Sequence, residues 1–227
     1  MWVVFIGAPG CGKGTQAGFL SGSHGFTVIS VGDILRNNKE TLVADDGRTV
    51  GEIISTGSLL PDSVIVSLVN SELEKTEHVG ESDILFDGVP RTVKQAEALS
   101  ELAAAFGAKI DYVLDFEVNH DLITKRILGR FECSGCGMIY NDFFSTTRVD
   151  GVCDACGGKE FYRRSDDNEE SLKRRLSEYN AKTLPLIGFY DERSLLHRID
   201  ASRSVDDVRS GIETVLKLVE RKSKEER

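Results

Sequence analysis

The sequence predicts an α/β fold, in which a parallel β-sheet core is flanked by helices and carries two insertions. Three observations lead to this prediction. Short apolar runs alternate with segments whose apolar residues recur at helical spacing, and this strand–helix–strand order is typical of a parallel sheet. A glycine-rich loop directly follows the first apolar run. Four cysteines, arranged as two CxxC pairs, interrupt the alternation late in the chain.

The composition is typical of a soluble protein and excludes several classes of function. The 227 residues are 40% hydrophobic and 29% charged, enough for one domain with insertions to bury a core without disulfides. No apolar run reaches the ~20 residues that span a bilayer. The first strand begins at Met1 or Trp2, which leaves no room for a signal peptide, so we expect a cytoplasmic protein. The net charge of −9 argues against general binding to nucleic acid or a membrane surface.

The segment from Gly7 to Thr15 is a predicted phosphate-binding loop (P-loop). It follows the run Met1–Ile6, which is predicted to be a strand buried on both faces. Its glycines allow successive N–H groups to point at one anion, and Lys13 adds a charge at the start of a helix. In the general pattern a hydroxyl residue follows the lysine directly, whereas here Gly14 intervenes. We therefore expect a nucleotide ligand; the alternative is an ordinary glycine-rich turn.

Four more buried strands are predicted: Thr27–Ser30, Ile84–Asp87, Tyr112–Glu117 and Leu195–Asp200. Asp87 ends its strand beside the P-loop, where a magnesium-linked carboxylate belongs, although a turn or capping residue is the alternative. Residues 31–61 are irregular and punctuated by glycine, which suggests a small helical insertion. Pro61 and Asp62 then begin a helix.

Six arginines flank the cysteine segment: Arg126, Arg130, Arg163, Arg164, Arg174 and Arg175. Arg126 and Arg130 lie four positions apart, and we expect them on one face of the helix that follows the fourth strand. We assign the start of the next helix to a capping arrangement of Asp166 and Glu169. Solvated arginines are the alternative, but clustering on both sides of one segment favours a ring of guanidinium groups around a mobile flap.

The cysteines have the spacing of a zinc site. Two residues separate Cys133 from Cys136, sixteen separate Cys136 from Cys153, and two separate Cys153 from Cys156. Four thiolates leave no coordination position for a substrate, so the predicted zinc is structural. Buried free cysteines are the alternative.

A zinc ribbon beside a P-loop raises a second hypothesis, an ATP-dependent nucleic-acid-binding protein. Residues 131–163 contain three basic and five acidic side chains, a net charge of 3 − 5 = −2. A phosphate backbone would be repelled by this segment, so charge disfavours the hypothesis.

Four segments together resemble the adenylate kinase family: Gly7–Gln16 (GAPGCGKGTQ), Gly32–Arg36 (GDILR), Asp87–Thr92 (DGVPRT) and Arg163–Asp167 (RRSDD). The likeness runs along essentially the whole chain. The four-cysteine segment is similar to that of the zinc-containing, long-lid form, and the displaced Thr15 matches that family's loop. The resemblance implies reversible phosphoryl transfer from MgATP to AMP, giving two ADP.

The resemblance also implies a division of the chain. Residues 1–30, 62–128 and 167–227 would form the P-loop core, residues 31–61 the AMP-binding insertion, and residues 129–166 a zinc-stabilised β lid. The implied partners are the nucleotides ATP, AMP and ADP, with Zn²⁺ in the lid and Mg²⁺ bound with ATP. No nucleic-acid or membrane partner is expected, and the protein is expected to be a monomer.

The resemblance implies that residues matching the family's motifs have the same roles as in that family. The implied ATP-binding residues are Gly10, Cys11, Gly12, Lys13, Gly14, Thr15, Arg126 and Arg130. The implied AMP-binding residues are Val31, Arg36, Gly57, Leu59, Leu60, Gly88, Arg91, Gln95, Arg164 and Arg175. The basic side chains implied in catalysis are Lys13, Arg91, Arg126, Arg130, Arg164 and Arg175. Asp33 and Asp87 would hold magnesium through water.

Two positions depart from the family. Val31 stands where the family usually has a hydroxyl residue near the AMP base, and Val89 stands where it usually has phenylalanine. Two alternatives therefore stay open at this point: another nucleoside monophosphate as acceptor, or GTP as donor.

Overall fold

A computed structural model describes residues 1–38, 49–55 and 59–218. The predicted site residue Gly57, and the charged segment 221–227, lie outside them. The helices are α1 (Lys13–His24), α2 (Val31–Asn37), α3 (Val50–Ser55), α4 (Asp62–Lys75), α5 (Val93–Ala105), α6 (His120–Leu128), α7 (Glu169–Glu178), α8 (Pro185–Asp191) and α9 (Val205–Val215). The strands are β1 (Trp2–Gly7), β2 (Thr27–Ser30), β3 (Ile84–Asp87), β4 (Ile110–Glu117), β5 (Arg130–Cys133), β6 (Ile139–Asn141), β7 (Phe161–Tyr162) and β8 (Leu196–Asp200). A π-helical turn, Tyr179–Thr183, joins α7 to α8.

The main sheet has five parallel strands in the order β2-β3-β1-β4-β8, which confirms the predicted parallel α/β core. Strand β1 is central and the P-loop follows it directly. Because all five strands run in one direction, their carboxyl ends meet at one edge of the sheet, where ligands bind in such folds. Asp87, at the end of β3, pairs in register with Phe5 and so lies beside the P-loop.

Both faces of the main sheet are covered, which explains the unbroken apolar character of β1. Trp2, Val4 and Ile6 pack into one buried cluster with residues of α4, α5 and α8. Val3 and Phe5 point to the other side and pack with residues of α1 and α9. No helix within the described ranges combines the length and apolar character needed to cross a membrane.

One acid is buried inside the sheet. Asp115 lies on β4, in register with Ile6 on β1, and is 2% exposed. Burial, reinforced by the nearby Glu117, raises the pKa of Asp115 to about 6.

Residues 129–166, the lid, contain a second, antiparallel sheet in the order β6-β5-β7. Its fully buried side chains are Cys133, Tyr140 and Cys153, with Phe131 and Phe161 packed against them. Two of these five residues are cysteines, so the lid has little apolar core with which to fold alone.

The prediction that Arg126 and Arg130 share a helix face is wrong. Helix α6 ends at Leu128, and Arg130 is the first residue of β5. The chain turns at Gly129, where a Cβ would lie 2.7 Å from Cδ2 of Phe143. The helix therefore stops where the lid packs onto its end.

The predicted cap of α7 is also wrong. The N-cap is Asn168, whose Oδ1 accepts a hydrogen bond from the Ser171 N–H at 2.9 Å. Asp166 instead accepts from Nη1 of Arg175 at 2.9 Å. Asn, like Asp, is a strong N-cap residue, and the Asp166 carboxylate forms an ion pair with Arg175 instead of capping the helix.

Candidate active site

A cleft of about 1030 Å³ lies at the carboxyl end of the parallel sheet, between the P-loop, the lid and α7. It gathers most of the predicted site residues: Gly10, Cys11, Gly12, Lys13, Gly14, Thr15, Asp33, Arg36, Leu59, Asp87, Gly88, Arg91, Arg126, Arg130, Arg164 and Arg175. A smaller pocket of about 80 Å³ shares Gly88, Arg91 and Arg175 with the cleft. The other predicted site residues that the structure describes, Val31, Leu60 and Gln95, line this smaller pocket. Residues more than 150 positions apart in sequence therefore meet at one site.

The P-loop has the geometry of an anion cradle. Gly10 and Gly12 have φ of 76° and 106°, which side chains rarely tolerate, and a Cβ at Gly10 would lie 2.7 Å from Cγ1 of Ile127. Gly12 is the N-cap of α1 and has no side chain to accept hydrogen bonds from the first-turn N–H groups, so these groups remain available to an anion. The Lys13 ammonium donates to the carbonyls of Gly7 at 2.7 Å and Ala8 at 3.1 Å, which holds it over the loop.

Cys11 is a packing residue of this loop. Its side chain is buried, and a Cβ at Gly7 would lie only 2.7 Å from its Sγ. Its carbonyl accepts from Nη1 of Arg126 at 3.2 Å, which fastens α6 to the P-loop. Burial lowers the pKa of Arg126, but a guanidinium remains charged at neutral pH.

Two carboxylates flank the mouth of the P-loop. Burial raises the pKa of Asp87, while the charges of Lys13 and Arg91 oppose that rise. Burial also disfavours ionisation of Asp33, but hydrogen bonds to Ser30 and Arg36 outweigh it and hold the pKa of Asp33 below its usual value. Asp33 therefore stays available as an anion, and the charges of Lys13 and Arg91 favour the anionic form of Asp87, which suits contact with the water shell of a metal ion.

Arg130 and Arg175 are held in the cleft by acidic partners. Arg130 donates to both oxygens of Asp167, through Nε at 2.7 Å and Nη2 at 2.5 Å. Arg175 pairs with Asp166, and burial, with Arg130 and Arg91 nearby, lowers the pKa of Arg175 to about 10. The positive charges of these closely spaced guanidinium groups repel one another. A bound polyphosphate would offset that repulsion, so the cluster favours such a ligand.

Gln95 is fixed by contacts that the sequence did not reveal. It lies on α5, 2% exposed, where its Oε1 accepts from the Arg91 N–H at 2.7 Å and its Nε2 donates to Oδ1 of Asp62 at 2.8 Å. Thr92, the N-cap of α5, donates to the same oxygen of Asp62 at 3.1 Å. Asp62 begins α4, 33 residues before Gln95, and no local spacing marks it as a partner of the pocket.

Sequence reasoning also missed Glu132 and Tyr162, which line the cleft from the lid. It used Glu132 only as one of several negative charges in residues 131–163. The signal that could have found them is the strand pairing of β5 with β7, which places the two residues opposite each other.

The four cysteines converge in the lid. Their Sγ atoms all lie within 4.8 Å of one another, with 3.6 Å between those of Cys133 and Cys156 and 3.5 Å between those of Cys136 and Cys153. A tetrahedral zinc site with Zn–S bonds of ≈ 2.3 Å has S–S separations of about 3.8 Å, so the donor set fits such an ion. The Tyr140 hydroxyl donates to Sγ of Cys153 at 3.4 Å and lowers the pKa of that thiol to about 6, which favours the thiolate that a metal requires.

A glycine directly follows each CxxC pair. The N–H of Gly137 donates to the Cys133 carbonyl, and the N–H of Gly157 donates to the Cys153 carbonyl, both at 2.9 Å. Both glycines have φ near 70°, a value that favours glycine. The two CxxC segments thus form equivalent turns.

Comparison with known proteins identifies relatives along nearly the whole chain. A family model described as adenylate kinase matches residues 5–195. The adenylate kinase of Novosphingobium aromaticivorans is 41% identical over 218 residues, covering 95% of this chain and 99% of that protein. The adenylate kinase of Geobacter sulfurreducens is 41% identical over 220 residues, with coverage of 97% and 98%. The adenylate kinase of Zymomonas mobilis is 39% identical over 218 residues, covering 96% of each chain.

Proposed function

This chain belongs to the adenylate kinase family, and on that premise we propose how its residues carry out the family's reaction, reversible phosphoryl transfer from MgATP to AMP to give two ADP. The protein is a phosphotransferase. The observation that carries the proposal is the convergence of the P-loop, two carboxylates and a group of basic side chains on one cleft of about 1030 Å³. Neither another acceptor, nor GTP as donor, nor nucleic-acid binding is favoured.

The donor nucleotide binds on the P-loop side of the cleft. The N–H groups that begin α1 contact its phosphates, and Lys13 turns from the loop carbonyls towards them. Arg126, fastened to the Cys11 carbonyl, covers the adenine. Asp33 and Asp87 would hold Mg²⁺ through its water shell, and the ion would supply positive charge to neutralise the phosphates.

The acceptor binds on the opposite side, towards α2 and α5. Arg36 and Arg91 grip the AMP phosphate, while Gln95 and the backbone near Leu59, Leu60 and Gly88 line the base pocket. Val31 contributes shape but no hydroxyl. The Asp62 contact presents Gln95 in one fixed orientation, so its selectivity for the base depends on that contact.

Catalysis consists of alignment and charge stabilisation. A phosphoryl group in transfer carries charge on its equatorial oxygens, and little covalent chemistry is asked of the protein. Arg130, Arg164 and Arg175 supply positive charge from the lid and α7, already oriented by their acidic partners. No general base is required.

The two insertions exclude water, which is the competing acceptor. We assign residues 31–61 to the AMP-binding insertion, residues 129–166 to the lid, and 1–30, 62–128 and 167–227 to the core. The lid lines the cleft through Ile139, Tyr140 and Phe144, so its position over the donor would control access to the reaction.

A structural zinc ion holds the lid together in this proposal. The four thiolates match the ion's preferred ligands and geometry, and the lid's apolar core is too small to replace it. We further propose a monomer that works in the cytoplasm; in support of the compartment, none of the five cysteines forms a disulfide.

The test is a kinetic comparison of acceptors and donors. AMP, GMP, CMP and UMP are supplied in turn with ATP or GTP, and formation of the diphosphate is followed. AMP with ATP should give the highest kcat/KM. A higher value for UMP or CMP would mean that the pocket at Val31 selects another base.

A further inference from the structure

A buried carboxylate of the lid faces the phosphate-binding arginines. Glu132 lies on β5, is 5% exposed, and lines the cleft. Its Oε1 forms an ion pair with Nε of Arg164, and its Oε2 accepts a hydrogen bond from the Tyr162 hydroxyl at 2.6 Å. Both carboxylate oxygens are therefore engaged by cleft residues.

The fold brings these three residues together through strand pairing. Glu132 pairs directly with Tyr162 across β5 and β7. Side chains of directly opposed residues lie on the same face of a sheet, and Arg164 follows two positions later in the chain. The cluster is therefore part of the framework of the lid and does not depend on a flexible surface contact.

The surroundings of Arg164 make such a partner necessary. Burial lowers the pKa of Arg164, and the positive charges of Arg130 and Arg36 lower it further, while Glu132 opposes both effects. Without a carboxylate at this place, the guanidinium would be repelled by its neighbours and would turn towards solvent. Glu132 offsets that repulsion inside the cleft.

The contact also leaves part of Arg164 available to a ligand. A guanidinium has five N–H donors in a flat fork, and Glu132 lies against Nε as an ion-pair partner without the geometry of a hydrogen bond. The two terminal nitrogens can then donate to phosphate oxygens in a bidentate manner. A carboxylate bound at Nε thus fixes the direction in which the terminal nitrogens point.

We propose that Glu132 is a positioning residue, which, with its carboxylate oriented by Tyr162, holds the Arg164 guanidinium in place for the transferred phosphoryl group. The inference rests on the role proposed above for Arg164. It predicts that Glu132 acts on the reaction only through that arginine.

The test is a double-mutant cycle on the full-length, metal-loaded protein. Glu132→Gln keeps the shape and one acceptor but removes the charge that pairs with Arg164, and kcat should fall about 5-fold. The KM for ATP should change less than about twofold. In an Arg164→Ala background the same substitution should change kcat less than about twofold, because its target is gone.

Two further variants separate positioning from folding. Glu160→Gln removes an exposed lid carboxylate of the same type and should leave kcat unchanged. Tyr162→Phe should also lower kcat, but by a smaller factor than Glu132→Gln does. Zinc content should match that of the parent for all three single variants, and so should the melting temperature of Glu160→Gln. Glu132→Gln also breaks a buried ion pair from one side and should lower the melting temperature, so kcat is compared at a temperature where every variant is folded.

The outcomes distinguish the inference from the proposed function. If Glu132→Gln behaves like Glu160→Gln, or if it lowers kcat equally in the Arg164→Ala background, Glu132 does not position Arg164. If Arg164→Ala itself keeps the parent kcat, the role proposed for Arg164 is wrong, and the inference fails with it.

Discussion

Replacing Arg130 by alanine perturbs two properties that the structure allows to be separated. The guanidinium lines the cleft, and removing one such donor from a charged transition state typically costs 10²–10³ in rate, so kcat should fall by about this factor. The substitution also leaves Asp167, whose side chain is 1% exposed, without its bidentate partner. Breaking a buried pair from one side costs about 3–5 kcal/mol.

We expect the loss of stability to lie near the lower limit, about 3 kcal/mol, because Nη1 of Arg175 lies 3.7 Å from Oδ1 of Asp167 and can compensate part of its charge. The matched control is the double variant Arg130→Ala with Asp167→Asn. It removes the uncompensated charge, so most of the stability should return while kcat stays low.

Two measurements follow both properties. The production of ADP from ATP and AMP in a coupled assay gives kcat, and urea unfolding gives the free energy of unfolding. Recovery of kcat to within a few-fold of the parent in the double variant would refute the reasoning, since Arg130 would then act only by stabilising the fold.

Three further predictions concern the lid, the base pocket and the sheet. The purified protein should carry about one zinc per chain, and Cys153→Ser should lower metal content and melting temperature together; a metal-free protein with parent stability would contradict the zinc site. Val31→Thr should lower the KM for AMP roughly 2- to 10-fold with little change in kcat, and Gln95→Ala should be more damaging, because Val31 offers no hydroxyl to the base; steady-state kinetics with AMP decides this. The pKa of Asp115 is raised to about 6, so the folded state favours its neutral form, and this contribution to stability is lost as pH rises from about 4 through about 6. Asp115→Asn should therefore be more stable than the parent at pH 8, by up to about 2 kcal/mol, but not at pH 4; equal melting temperatures of the two proteins at pH 8 would contradict this.

The parts of the fold that local sequence determines were predicted well. The bounds of β2 and β3 agree with the predicted runs. β3 is buried as predicted and is continuously apolar up to Asp87, whereas β2 lies at the edge of the sheet and buries only Ile29 fully, so the prediction that it is a buried strand is wrong. The P-loop could be recognised because its glycines are needed for the local backbone conformation, and that conformation depends little on distant contacts. The CxxC pairs could be recognised because metal geometry restricts their spacing.

Features that depend on distant contacts could not be predicted. The end of α6 lies where Phe143, fourteen residues beyond Gly129, approaches the chain closely, and no helical periodicity reveals that contact. Asn168 caps α7 while Asp166 pairs with Arg175, nine residues further along the chain, and local spacing does not reveal that pairing. Glu132 was treated as one negative charge among several, because its paired strand had not been identified.

The burial of β1 on both faces has a consequence for the loop that follows it. Val4 belongs to one apolar layer and Phe5 to the other, so two independent sets of side chains support the same six-residue strand. A fluctuation or a substitution that loosens one layer leaves the strand supported by the other. The N–H groups of the P-loop therefore follow a strand whose support does not depend on either layer alone, so a change confined to one layer should disturb the phosphate site little.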